Sequence, residues 1–576
     1  MLSLLFLMMV LPLSVGGSDP TLPFMEYLDQ NHLVCVKWGF DNPQGNITFK
    51  LLINTTGWVG FGFSPNGGMA GADIVMGGLG SSGIYFKDYY ATGDSMPLED
   101  EQQSYTLLSA NETDGQTIMT FQRTIQSCDD KDFSITTQAI KLIYAYGTTD
   151  QINYHASRRG TKEVNLLNYM PRATITGLNY LSARVNNISV PEKHTYYHCK
   201  VMKLSTLKTK HHITMVEPHI EHPDIVHHML LYGCPSFVTQ EYDTQCYKGD
   251  ISDACFEVVA SWAVGGGVYV LPETVGIPVG GETNERLYRL EIHYNNPNGD
   301  KGRTDSSGLK LYYTGKLRQE DVGTLTAGIL HFDQMEYKIP PKVDQFHTYG
   351  VCNTSIFSQT LGHSPDLHVF GVLLHTHLAG RKIRVGHFRN GKLIGFLGLV
   401  ENYNFEFQEV IPLGSVATIK QGDELVVECT YSTTTRTTAT KMGLGTTDEM
   451  CLAFLLYYPA IKISSCISHP NSYHPLLQTM SSQIFEGTAT PSRDDIAEYE
   501  RLLKKVPQIQ VVSSSENNHT FYENGIIREM GNSPTVACQT NPNNNNNNNS
   551  GSSRLGTSSI FIPAGIILLF LLVGIL

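Results

Sequence analysis

The sequence predicts a mainly β protein organised around β-sandwiches. Short runs rich in β-branched and aromatic residues recur along the chain, among them Ile47-Thr48-Phe49-Lys50-Leu51-Leu52-Ile53 and Trp58-Val59-Gly60-Phe61-Gly62-Phe63. Turn-forming clusters such as Asn42-Pro43-Gln44-Gly45 and Ser64-Pro65-Asn66-Gly67-Gly68 separate them, the pattern of a sandwich. Clear helical periodicity is confined to one stretch. There Ser492 and Asp495 make a capping-box start, and Ile496, Tyr499 and Leu503 share a face that packs on a sandwich.

At 576 residues the chain has room for roughly three or four domains with real cores. Its net charge of -13 and scattered Lys and Arg leave no basic footprint, which argues against a nucleic-acid partner. The apolar run Leu2 to Val15, followed by Gly16, Gly17 and Ser18, reads as a signal peptide over residues 1–17, the alternative being an uncleaved anchor. Eleven cysteines behind such a segment imply disulfides, because that compartment is oxidising. Asn-X-Ser/Thr sequons at Asn46, Asn54, Asn111, Asn187, Asn353 and Asn518 agree with the secretory route.

At the other end, residues 508–559 read as a disordered stalk containing the Asn543–Asn549 run, which cannot bury a core. Residues 560–576 are apolar and uncharged, so they serve either as a GPI-attachment signal or as a single membrane span. Either way the folded part faces the lumen or the cell exterior, held at a membrane by this segment.

Between the termini the chain divides into β-rich regions over 25–167, 179–335 and 340–507. The second carries Val226-His227-His228-Met229-Leu230-Leu231 ahead of Cys234. Neighbouring residues on a flat strand point to opposite faces, so these two histidines share one metal only if the strand bends. His211-His212 competes with this pair, and periodicity does not separate the two. Downstream, Leu290, Ile292 and Tyr294 share one strand face with His293 opposite. In the third region, Val372-Leu373-Leu374-His375-Thr376-His377-Leu378 reads as a buried strand on which His375 and His377 project together. Met450 follows Thr446-Thr447-Asp448-Glu449 and on its own reads as core.

Taken in this order, His227-His228 with His293, then His375-Thr376-His377 with Met450, resemble the copper type II, ascorbate-dependent monooxygenases. The likeness is to the dopamine β-monooxygenase-like branch and covers about residues 25 to 507. Gly57 through Phe63, Gly68-Met69, Gly71-Ala72-Asp73-Ile74-Val75 and the later Tyr154-His155 resemble a DOMON domain, in which some relatives bind haem through a Met and a His. Met69 and His155 are the positions for that here; packing is the simpler role for Met69. The resemblance implies a DOMON sandwich followed by two antiparallel, jelly-roll-like copper domains. It implies two coppers per chain, O2 as oxidant and ascorbate as electron donor. The site of His375, His377 and Met450 would attack a C–H bond, because a thioether favours Cu(I). The site of His227, His228 and His293 would take electrons from ascorbate and pass them across an interdomain cleft.

The resemblance further picks His227-His228 over His211-His212 and maps a proposed catalytic tyrosine onto Tyr197, for which a packed strand tyrosine is the alternative. It suggests disulfides Cys199–Cys246, Cys234–Cys255, Cys352–Cys466, Cys429–Cys451 and Cys128–Cys538, leaving Cys35 over. Where the peptide-amidating branch holds a substrate carboxylate with Arg and Asn, this chain has Leu373 and Leu452, which favours a small aromatic or apolar, amine-like substrate. The rival readings are a copper-binding protein without turnover and a tethered protein that binds a ligand through residues 25–167. A homo-oligomer is compatible with either.

Overall fold

The structure is a computed structural model that describes residues 22–531, apart from 30, 41–44, 128, 137–139, 168–178, 205–206, 250, 265, 282–284, 331–336, 406, 487–490 and 517. The signal-like segment, the Asn run, the C-terminal apolar segment, Cys128 and Cys538 lie outside the described residues.

Alternating burial builds the first sandwich. In Asn46–Ile53, Ile47, Phe49, Leu51 and Ile53 are buried, while the residues between them are partly exposed. That strand sits in a five-stranded sheet in the order Phe24–Tyr27, Val34–Phe40, Asn46–Ile53, Gln116–Thr124, Thr106–Thr113. A six-stranded sheet running from Arg159–Val164 to Leu98–Glu99 completes the sandwich. Its core is aromatic: Phe49, Phe61, Phe63 and Phe121 are almost fully buried with ring centroids 5.5–5.9 Å apart. Met69 packs beside Trp58, Ile74 and Met76, and the His155 ring lies beside exposed Tyr154.

The second sandwich has a sheet in the order Tyr242–Gln245, Thr195–Lys203, Leu287–Asn295, Val226–Gly233, Glu257–Ala263. The second sheet of this region contains His211–His219 and Gly308–Thr314. The third sandwich is a seven-stranded sheet centred on Leu367–His375, Cys451–Tyr458 and Gly323–Ile329, together with a four-stranded sheet. Disulfides Cys199–Cys246, Cys234–Cys255, Cys352–Cys466 and Cys429–Cys451 form as the resemblance implied, and Cys35 is buried and, among the described residues, unpaired.

Two boundaries differ from the sequence expectation. Gly323–Ile329, assigned to the second region, pairs with Cys451–Tyr458 and belongs to the third sandwich. Residues 508–524, assigned to the stalk, form the strands Gln508–Ser514 and His519–Asn524. The reason is polar burial. Gln508 and Gln510 are fully buried, with Gln508 Nε2 donating to Leu503 O and Gln510 Nε2 to Asn353 O, so the inward face does not read as hydrophobic.

The expected helix runs Arg493–Lys505 with the Ser492/Asp495 capping box formed. A second helix, Pro475–Phe485, begins with Pro at its first turn, and Phe485 meets Tyr499 edge-on at 5.6 Å. Among the described residues no helix is long and apolar enough to cross a membrane.

Candidate metal centres

A bulge resolves the difficulty with adjacent histidines. Val226 pairs with Tyr294 and His228 with His293, so His227 is the extra residue between them, and the kink turns its ring to the same side as His228. His293 also pairs with Tyr197, which places Tyr197, His293 and His228 abreast on three neighbouring strands. The Nδ1 atoms of His227 and His228 are 3.4 Å apart, and those of His293 and His228 are 3.3 Å apart. Donor nitrogens of the three lie within 4.8 Å of one another.

This cluster suits a cation. A neutral imidazole carries one proton on two nitrogens, so three converging Nδ1 atoms cannot satisfy one another by hydrogen bonds alone. His293 Nε2 meets Thr446 Oγ1 at 3.0 Å; when Nε2 carries the proton and donates it to that hydroxyl oxygen, Nδ1 faces the cluster as a lone pair. His227 Nε2 is buried with no hydrogen-bond partner among the described residues. Burial first, then neighbouring histidines, holds His228 and His293 far below the ordinary imidazole range, and burial with His375 brings His227 down to about 3. The rings are therefore neutral, the form in which imidazole binds a metal.

The competing pair behaves differently. His212 Nε2 is 2.8 Å from Asp321, and its Nδ1 accepts from Arg318 N at 2.9 Å, while His211 Nδ1 lies 2.8 Å from Thr209 O. Both nitrogens of His212 are committed to structure.

The second cluster forms where Leu367–His375 ends. His375 pairs with Leu452 and Leu373 with Phe454, so Leu373 and His375 share a face with the partner strand's even positions. Met450, two residues before Leu452, falls on that face and is 6 % exposed. His375 Nδ1 donates to Gln408 Oε1 at 2.7 Å and His377 Nδ1 to Asp448 O at 3.1 Å, which leaves both Nε2 atoms unprotonated. His377 Nε2 is buried without a hydrogen-bond partner among the described residues. Burial holds His375 and, more strongly, His377 below the ordinary range.

Glu449 explains why threonine stands between the histidines. Its fully buried carboxylate accepts from Thr376 Oγ1 at 2.7 Å, His377 N at 2.9 Å and Ala379 N at 2.6 Å. Gly380 lies under this turn, where a Cβ would fall 2.0 Å from Thr376 Cγ2. Neither Gln408 nor Glu449 was singled out from sequence, because each acts on a partner 33 or 73 residues away with no periodic signal.

The two clusters abut. The His228 and His375 rings are 5.4 Å apart, and Phe405 stacks on His227 at 3.9 Å. Tyr197 lies flat on His293, centroids 4.5 Å apart, with its hydroxyl donating to Leu444 O at 2.7 Å. Burial raises that phenol far above its usual range.

Leu373, Met450, Leu452 and Phe454 form one apolar wall with Leu230 and Tyr232 of the second sandwich. Behind it a cavity of about 190 Å³ is lined by Trp262, Tyr269, Leu373, Phe407, Glu409 and Val410. Glu409 Oε1 is buried without a hydrogen-bond partner among the described residues, and burial, against a hydrogen bond from Asn165, brings its carboxyl up to about 7.

Residues 181–301 match the N-terminal domain and residues 320–477 the C-terminal domain of the copper type II ascorbate-dependent monooxygenases, and residues 30–147 match the DOMON domain. The chain is 39 % identical to DBH-like monooxygenase protein 1 of Gallus gallus, over 78 % of this chain and 75 % of that protein. It is 38 % identical to the Homo sapiens protein of that name, over 83 % and 80 % respectively. Dopamine beta-hydroxylase of Canis lupus familiaris is 32 % identical, over 81 % of this chain and 76 % of the relative. The chain belongs to the copper type II, ascorbate-dependent monooxygenases, oxidoreductases of the dopamine beta-hydroxylase type, and carries a DOMON domain ahead of its two copper domains.

Proposed function

We propose that the protein hydroxylates a C–H bond of a small aromatic or apolar, amine-like molecule, using two coppers per chain. His227, His228 and His293 would hold one copper, and His375, His377 and Met450 the other. Substrate R–H, O2, two electrons and two protons give R–OH and water, with ascorbate as the source of electrons. Bound copper would supply the one-electron redox chemistry that joins ascorbate oxidation to O2 reduction.

The chain's own residues prepare the site. Gln408 and Asp448 O fix the tautomers of His375 and His377, Glu449 locks the turn between them, and Thr446 orients His293. Tyr197 braces His293, and because its hydroxyl donates to Leu444 O, we assign it a positioning part rather than proton transfer. Leu373 and Leu452 offer no hydrogen bond to a carboxylate, which disfavours peptides ending in glycine. The apolar wall suits a ring or alkyl chain, and the unpartnered Glu409 oxygen in the adjoining cavity suits a cationic nitrogen.

The observation that carries this reading is the pair of abutting clusters of neutral, partner-poor imidazoles. Copper analysis with ascorbate-driven O2 uptake on candidate amines tests it. Two coppers per chain and amine-dependent uptake, both lowered by Met450→Ile, are expected. Well under two coppers after reconstitution, unchanged by Met450→Ile, overturns it. In this reading the domains are luminal or extracellular, tethered through residues 560–576 and able to form a homo-oligomer.

A further inference from the structure

We propose that the stretch carrying Tyr403, Asn404, Phe405 and Gln408 is a strap by which the N-terminal sandwich governs the ligand set at His375, with Gln408 as the positioning residue. The inference rests on the assignment of His375 as a copper ligand.

The strap touches each of the three sandwiches. Tyr403 grips the centre of the His-Thr-His turn: its hydroxyl accepts from Thr376 N at 3.2 Å and donates to Thr376 O at 2.7 Å. Asn404 Nδ2 donates at 2.8 Å to Glu163, on the strand Arg159–Val164 of the N-terminal sandwich. Phe405 lies flat on His227 and edge-on to His377, at 3.9 and 6.2 Å. Gln408 N donates to Val264 O of the second sandwich at 2.8 Å.

Gln408 converts this anchoring into chemistry. Its Nε2 donates to Phe405 O at 2.8 Å, so the amide has one orientation, with Oε1 toward His375. An acceptor 2.7 Å from His375 Nδ1 requires the proton there and presents Nε2 as a lone pair. Gln408 is 3 % exposed, so the bond lies in low-dielectric surroundings that strengthen it. The Glu163–Asn404 bond fixes the same strap from the side of the N-terminal sandwich, which gives that domain a part in ligand geometry without contact with a ligand.

The test uses the full-length protein with Gln408→Leu, Gln408→Glu, Glu163→Ala and, as a control at an exposed position of the same sandwich, Asp94→Ala. The readouts are Cu(I) affinity for each copper equivalent by chelator competition and the Cu(II) electron paramagnetic resonance spectrum. Gln408→Leu is expected to weaken by about 10- to 100-fold the same equivalent that Met450→Ile weakens. Gln408→Glu keeps an acceptor oxygen and recovers most of that loss. Glu163→Ala weakens that equivalent by roughly 2- to 30-fold and shifts its spectrum, while Asp94→Ala changes neither. If Gln408→Leu binds both coppers with wild-type affinity and spectrum, or Glu163→Ala moves neither, the strap inference is overturned while the ligand assignment stands. If Met450→Ile leaves both equivalents unchanged, the ligand assignment itself fails, and this inference with it.

Discussion

Glu449 is the buried group on which the His-Thr-His turn depends, and removing its carboxylate tests that dependence. One oxygen accepts from Thr376 Oγ1 and His377 N, the other from Ala379 N, and Arg436 stands 3.5 Å away. In Glu449→Gln the remaining oxygen keeps two of these bonds, while the new NH2 faces the Ala379 N–H and leaves one buried donor unmet. That costs about 1–3 kcal/mol. Glu449→Ala strands all of the donors and leaves Arg436 without this partner, at a cost of about 3–5 kcal/mol. In a domain of 150–250 residues each kcal/mol lowers Tm by about 2–4 °C, so roughly 2–12 °C is expected for Gln and roughly 6–20 °C for Ala. Calorimetry of the copper-free protein isolates the effect on the chain. Equal losses for the two variants would show that side-chain shape matters and hydrogen-bond count does not. An Ala variant melting with the wild type would refute the role altogether.

The remaining predictions concern the rest of the molecule. Burial, with the Asp73, Asp132 and Asp100 charges and against a bond from Ser104 N, raises the Asp88 carboxyl from 3.8 to about 8. Between those values the folded chain holds a proton that the unfolded chain has released, so stability should fall as pH rises from about 4 to about 8. Asp88→Asn should flatten that slope in melting curves of the N-terminal sandwich, and an unchanged slope would contradict the assignment. Glycopeptide mapping should find glycans at the exposed Asn46, Asn54, Asn111, Asn187 and Asn518. Asn353 should be bare, because its Nδ2, the atom a glycan would take, donates to Glu424 Oε1 at 3.4 Å while its Oδ1 accepts from Ser355 N; a glycan there would refute this.

The sheets were legible because alternation along strands such as Asn46–Ile53 survives in the sequence, and the ligand candidates were legible as an order of residue types. Other features were not, for physical reasons. A period of two sends His227 and His228 to opposite faces, and the bulge that reunites them is a property of pairing with His293, which no local pattern records. The strand Gln508–Ser514 reads as stalk because its buried face carries glutamines, Gln508 satisfied by the nearby Leu503 O and Gln510 by the distant Asn353 O. Gln408 and Glu449 were invisible as Gln510 was: such a buried polar residue acquires its meaning from a partner far along the chain.

The interdomain cleft implied by the sequence resemblance is closed in this structure, and the contacts that close it involve the histidines themselves. Across the boundary run Tyr197 to Leu444 O, Thr446 to both His293 and Thr195, and Gln408 N to Val264 O. These hydrogen bonds act together with the apolar contact that Leu373, Met450, Leu452 and Phe454 make with Leu230 and Tyr232 of the second sandwich. The same loop, Leu444 to Met450, carries a carbonyl for Tyr197, a hydroxyl for His293, a carbonyl for His377 and, on the face that His375 occupies, the Met450 thioether. Opening the boundary would therefore release His293 Nε2 from Thr446 while His377 kept Asp448 O, because only the first of these bonds crosses between sandwiches. The His227–His228–His293 cluster is thus the one whose hydrogen bonding depends on closure, and the His375–His377 pair keeps its tautomers in either arrangement so long as the strap holds Gln408.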